Sequence, residues 1–112
     1  MTSPQATQRP RGILVIRNGG FDGMQYELGE DETLIGRNPT TDITLLDEGI
    51  SREHAILVFD DSADAFTIED LQSTNGTKVN GKRVRGAPLN HGDTIQIGHT
   101  LFEFLVVGPV PG

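Results

Sequence analysis

The chain has no cysteine and no tryptophan, one tyrosine, five phenylalanines, and fewer cations than anions. Without cysteine there is no disulfide framework, no thiolate-ligated zinc, no iron–sulfur cluster and no thiol nucleophile. No uncharged apolar run approaches the ~18 residues that a membrane-spanning helix requires. The first eleven residues are polar and lack the apolar stretch of a secretory signal. These absences point to a cytoplasmic location. Helical periodicity is missing too, since nowhere do ten residues keep a 3.6-residue apolar repeat. Basic side chains number 9 against 16 acidic ones, a net charge of −7. A chain this acidic repels nucleic acid and anionic lipid as a whole, so neither is an expected partner.

What is present suits one small domain. A chain of 112 residues falls within the usual single-domain range and buries enough surface to hold a core unaided. Glycine occurs 14 times, nearly twice its usual ~7% share, which points to many tight turns. Residues 1–11, with two prolines and two glutamines, read as a flexible tail. Gly108-Pro109-Val110-Pro111-Gly112 can neither extend a strand nor start a helix. One domain over residues 12–107 remains, with few large apolar residues left for an interface, and a monomer is expected.

Inside that domain the periodic signal is that of strands. Ile13 to Ile16 is a short apolar run, and Met24, Tyr26 and Leu28 alternate with polar residues. Short β-like pieces follow at 33–36, 43–46 and 55–59. Phe66 and Ile68, then Ile95 and Ile97, then Phe102, Phe104 and Val106 repeat every second residue. Asn80-Gly81 between Val79 and Arg83 is a hairpin signal, because a type I′ turn needs positive φ at both central positions. The expected fold is all-β: a sandwich of about ten to eleven short, mainly antiparallel strands.

Several chemistries can be set aside on residue pattern. Ser51 and His54 are three apart, but no nucleophile elbow surrounds Ser51 and no orienting acid is identifiable. Asp60-Asp61-Ser62-Ala63-Asp64 hints at a calcium loop, yet Ala65 stands where glycine is needed and Leu71 where glutamate is needed. Gly76-Thr77-Lys78 has the look of a phosphate-binding loop, but residues 71–75 supply no second glycine and no helix follows. The reading is a non-enzyme with no metal and no cofactor.

Three loops are instead rich in arginine, hydroxyl and amide side chains. They are Gly36-Arg37-Asn38, Ser51-Arg52-Glu53-His54, and Ser73-Thr74-Asn75-Gly76-Thr77 followed by Asn80-Gly81. Each borders an expected strand, so each sits at an end of the sandwich, where loops cluster in space. One Arg, two hydroxyls and an amide converging there make an anion site.

With these motifs in this order, and with Leu89-Asn90-His91-Gly92-Asp93-Thr94-Ile95-Gln96-Ile97-Gly98 after them, the chain resembles the forkhead-associated (FHA) domain over about residues 12–107. The resemblance implies a β-sandwich of about eleven strands that binds phosphothreonine peptides through its end loops. It implies Arg37 as the phosphate-contacting arginine, Ser51 and Thr74 as hydroxyl donors, and Asn75 as the amide that holds the peptide main chain. Arg52 and Asn80 are further candidate peptide contacts. Gly36, His54 and Gly76 look like residues that shape the loops. The expected partner is a phosphothreonine protein of a Ser/Thr kinase pathway. Two alternatives are a phosphate-independent interaction module, and a switch that binds its own tail when Thr2, Ser3 or Thr7 is phosphorylated. The acidic residues Glu27, Glu30, Asp31, Glu32, Asp60, Asp61 and Asp64 are expected in turns away from the site.

Overall fold

The computed structural model describes residues 10–29 and 31–108. The alternating pattern yields eleven strands among them: β1 (Arg11–Ile16), β2 (Gln25–Glu27), β3 (Glu32–Gly36), β4 (Ile43–Thr44), β5 (Ala55–Asp60), β6 (Ala65–Asp70), β7 (Thr77–Val79), β8 (Lys82–Val84), β9 (Gly86–Pro88), β10 (Thr94–Ile97) and β11 (Thr100–Val107). A single 3-10 turn covers Gly19–Phe21. The strands form two sheets, ordered β2-β1-β11-β10-β7-β8 and β4-β3-β5-β6-β9. Every pairing is antiparallel except the two-residue match of β3 with β4. The all-β expectation holds.

The core lies between the sheets. Leu14, Ile95, Ile97, Phe102 and Phe104 face it from one side and Ile35, Leu57 and Ile68 from the other, all essentially unexposed. Phe66 meets Phe59 and Phe104 edge to face, with ring centroids 5.1 and 5.5 Å apart, an arrangement that adds to simple area burial.

Three expectations need correction. Arg11 is not tail but opens β1, opposite Val107; residues 1–9 of the first tail and residues 109–112 lie outside the described residues. Glu27, Glu32 and Asp60 sit in β2, β3 and β5 rather than in turns, and Glu30 lies outside the described residues. Strand β9, Gly86–Pro88, was not expected, because it holds no β-former. Its pairing with Thr67, Ile68 and Glu69 of β6 imposes the extended form, and at a sheet edge proline is tolerated.

Register decides which loops meet. Ile35 pairs with Ala55, and Ala55 with Asp70, so β3 ends where β5 begins and β6 ends. In the other sheet Thr77 pairs with Ile97, and Ile97 with Thr100. Two hydrogen bonds tie these strand ends across the sandwich: His54 Nε2 to the Gly76 carbonyl, and the His99 N–H to Asp47. The connections 37–42, 45–54, 71–76 and 98–99 therefore gather at one end.

Candidate functional site

Arg37 directly follows β3. Its N–H donates to the Ser51 carbonyl at 3.0 Å, and its Nε–H to the Ile50 carbonyl at 3.1 Å. Both terminal guanidinium nitrogens are left without a partner among the described residues. The loop can lie this close because residue 36 is glycine: a Cβ there would overlap the Arg52 carbonyl oxygen. Asn38 N–H donates to that same carbonyl at 3.1 Å.

Ser51 and Thr74 are brought together from loops 23 residues apart. The Ser51 hydroxyl oxygen accepts the Thr74 N–H at 3.0 Å, so its own proton stays available for a ligand. The Thr74 hydroxyl is exposed and has no partner among the described residues. Asn75 donates one amide proton to the Gly49 carbonyl at 2.9 Å. Its carbonyl and its other N–H remain free, the donor–acceptor pair that an extended peptide backbone matches.

Beneath these exposed groups lies His54, fully buried. Its Nδ1 accepts the Ser51 N–H at 3.1 Å, which places the ring proton on Nε2, donating to the Gly76 carbonyl at 2.9 Å. One ring thus clamps the second loop to the third. Gly76 has φ +86°, and a Cβ there would lie 2.8 Å from Arg83 Cζ. The backbone requires glycine at 76, and a Cβ there would also push the flexible Arg83 side chain aside.

Not every expected residue joins the group. Asn80 lies beyond the far end of β7, and its amide is engaged on both sides, by Asp93 Oδ1 and by the Thr94 N–H, each at 3.0 Å. It holds the hairpin to the start of β10, with φ of 52° at Asn80 and 85° at Gly81, at the end of β7 away from Arg37, Ser51 and Thr74. The Arg52 side chain is exposed at the site and unpaired among the described residues. Arg83 does join: its guanidinium packs on Gly76 and, with Arg85, lines a cleft of about 760 Å³ shared with Glu69 and Asp70.

Two carboxylates that the sequence did not single out brace the loops. Asp47 accepts the Gly49 N–H and the His99 N–H, both at 2.8 Å. The His99 N–H is the largest influence and the Gly49 N–H the next, and together they hold the Asp47 carboxyl below the usual carboxylate range. Asp70 closes β6; it accepts the Ser73 hydroxyl at 2.5 Å, the Thr77 hydroxyl at 2.8 Å and the Ser73 N–H at 3.0 Å. Burial is the largest single influence on Asp70 and acts upward. The Ser73 and Thr77 donors, with His54 nearby, outweigh it, so the carboxyl titrates below its ordinary value. A depressed folded-state pKa adds stability above the unfolded value and loses it as pH falls through the folded one. Asp70→Asn is therefore expected to destabilise the domain by about 1–3 kcal/mol near neutral pH. The gap to wild type should close below about pH 4, where the unfolded carboxyl already binds its proton. Urea denaturation of both proteins across that range tests this; a gap that ignores pH would refute the carboxylate's role.

Four arginines, two free hydroxyls and one half-free amide thus face solvent at one end of the sandwich. Forked, unpaired guanidinium donors beside rotatable hydroxyls suit a tetrahedral oxyanion. A sequence profile of the FHA domain matches residues 33–98. The chain belongs to the FHA domain family. This FHA domain is 38% identical, over 93 residues, to an oxoglutarate dehydrogenase inhibitor of Corynebacterium jeikeium; the match covers 83% of this chain and 63% of that one. It is also 38% identical, over 100 residues, to the glycogen accumulation regulator GarA of Mycobacterium tuberculosis, covering 89% of this chain and 60% of the relative. The chain thus spans about three fifths of the length of these curated relatives. A structure from a study of phosphothreonine-dependent FHA domain interactions superposes with a TM-score of 0.79 at 33% identity, covering 89% of this chain and 99% of that one.

Proposed function

We propose that this FHA domain is a phosphothreonine-peptide adaptor in Ser/Thr kinase signalling, acting in the cytoplasm and binding its partner without transforming it. The observation that carries the reading is the convergence of Arg37, Ser51, Thr74 and Asn75, each with donors left free. A phosphothreonine brings about −1.5 to −2 charge and three acceptor oxygens. Arg37 takes two of those oxygens through its terminal nitrogens, and the Ser51 and Thr74 hydroxyls donate to the phosphate from the opposite side. Asn75 pairs with the peptide main chain. Arg52 and Arg83 stand at the rim and add attraction.

Net charge does not oppose this. The acidic turn around Asp60 to Asp64 joins β5 to β6 at the end of those strands opposite the site. Salt screens charges beyond ~8–10 Å, so the distant acids weaken attraction little.

Self-binding of a phosphorylated tail is not favoured. Arg11 pairs with Val107, while the site end of the same sheet holds Thr100. The seven residue steps of β11 between them span roughly 23 Å at ~3.3 Å per residue. Thr7 precedes Arg11 by four residues and reaches at most ~14 Å, which falls short; Thr2 and Ser3, nine and eight residues before Arg11, reach ~32 and ~29 Å and span the distance only as a nearly fully extended chain.

Fluorescence anisotropy with one peptide sequence carrying phosphothreonine, phosphoserine or plain threonine tests the reading. Tight binding is expected for the phosphothreonine form alone, weakening as pH falls through ~6, where the phosphate gains a proton. Equal binding of all three forms would instead select a phosphate-independent interaction module.

A further inference from the structure

Four large apolar side chains are exposed among the described residues, and three of them, Phe21, Met24 and Leu46, border one groove of about 420 Å³. Leu46 is 90% exposed and Phe21 71%. The groove is floored by Ile16, Tyr26 and Leu45. One wall is the turn between β1 and β2, the other the segment that follows β4.

The turn wall is built rather than loose. Gly23 N–H donates to the Ile16 carbonyl at 2.6 Å, and Met24 N–H to the Phe21 carbonyl at 3.0 Å. Phe21 and Met24 are thus held out of the core by backbone bonds. No lysine or arginine lines the groove. Its only titratable lining groups, besides the Tyr26 phenol, are Asp47 and His99, which face each other at 3.2 Å. The Asp47 carboxylate is already occupied by the Gly49 and His99 N–H groups. An occupant therefore meets apolar surface and no free charge, which selects an uncharged apolar side chain.

The groove is continuous with the phosphate-binding end. Asp47 holds Gly49, and the Gly49 carbonyl holds Asn75. A ligand running past Asn75 reaches the Asp47 wall first and the Leu46 and Phe21 walls beyond it.

We propose that this groove docks a leucine, isoleucine, methionine or phenylalanine of the same phosphorylated partner, at least four residues from its phosphothreonine. Recognition is then bipartite. The phosphate supplies the anchor, and the apolar side chain, seated on surface the fold leaves bare, selects among phosphorylated partners. The inference rests on the phosphothreonine reading of the neighbouring loops.

The test is a degenerate 21-residue peptide library with a central phosphothreonine, selected on wild type, Leu46→Ser and Phe21→Ser, with an unphosphorylated library alongside. Wild type should enrich large apolar residues at one position four to eight residues from the phosphothreonine. A defined peptide with leucine there should bind about tenfold or more tighter than its serine counterpart, the scale of burying one such side chain. Leu46→Ser and Phe21→Ser should each reduce that preference while leaving the serine peptide's affinity and the melting temperature unchanged. Absence of apolar enrichment, or enrichment that survives both substitutions, overturns the proposal. So does sedimentation showing a wild-type dimer that Leu46→Ser dissociates, which would give the groove to a second copy. Failure of the underlying reading shows separately, as equal capture of the unphosphorylated library.

Discussion

Arg37→Ala is expected to weaken phosphothreonine-peptide binding by about 2–5 kcal/mol, at least ~30-fold in Kd, as when one partner of a desolvated charge pair is removed. The size follows from how the side chain is held. Its Nε–H is fixed to the Ile50 carbonyl and its own N–H to the Ser51 carbonyl. The guanidinium therefore comes prepositioned on the loop that carries the Ser51 hydroxyl, and little side-chain entropy remains to be lost on binding. Arg37→Lys should rescue poorly. An ammonium at that position cannot bond the Ile50 carbonyl and at the same time present a planar fork to phosphate. Arg52→Ala and Arg83→Ala should lose less than tenfold, since neither side chain is hydrogen-bonded to the loops that carry the hydroxyls. All three residues are exposed, so melting temperatures should stay at the wild-type value. Anisotropy titrations of the four variants decide it. A loss under tenfold for Arg37→Ala would remove it as the anchor.

Much of this arrangement is legible in the chain itself, and the remainder has identifiable reasons for being hidden. Strands such as β5 and β6 declare themselves because one face is buried and the other wet, which writes a period of two into the sequence. The Asn80-Gly81 turn declares itself because few residues accept positive φ twice in succession. Strand β9 does not, since its extended form comes from β6 beside it rather than from Gly86, Ala87 or Pro88. The loop cluster was readable as an ordered set of arginine, hydroxyl and amide residues. Its bracing was not: Asp47 acts on His99 from 52 residues away, and Asp70 acts through donors that only the folded loop brings near. Asn80 combines both cases. Its turn chemistry is legible locally, while the two bonds that tie its amide to Asp93 and Thr94 appear only in the fold. The exposure of Leu46 was hidden as well, because Ile43 to Leu46 reads as one β-like stretch. The strand stops at Thr44, and of the two leucines that follow, Leu45 turns inward and Leu46 outward.

The largest expected loss of stability belongs to His54→Ala. The imidazole is wholly buried and bonded at both nitrogens, to the Ser51 N–H and the Gly76 carbonyl. Its main chain is tied as well, N–H to the Ile35 carbonyl and carbonyl to the Leu71 N–H, each at 2.9 Å. Truncation removes neither backbone bond, so the strand junction survives. It does strand the half-buried Ser51 N–H and the buried Gly76 carbonyl, at about 1–3 kcal/mol each when left unsatisfied. It also opens a ring-sized cavity, whose cost rises with its volume. The sum, about 3–5 kcal/mol, is a large share of the ~5–15 kcal/mol that holds a domain of this kind together. Ser73→Ala makes a useful comparison. It leaves the Gly76 N–H without its hydroxyl acceptor but creates almost no cavity, and should lose about 1–2 kcal/mol. The two substitutions should also differ in function. With His54 gone, the Gly76 carbonyl loses its tie to the Ser51 loop, and only the exposed Thr74 N–H to Ser51 Oγ and Asn75 to Gly49 bonds are left to set the spacing of the Ser51 and Thr74 hydroxyls. Peptide affinity should then fall even under conditions where the variant is fully folded. Urea denaturation with matched m-values, followed by anisotropy well below the unfolding midpoint, separates the two effects. A His54→Ala protein within 1 kcal/mol of wild type, with unchanged affinity, would show that the ring is a passenger in the core rather than the clamp between the two loops.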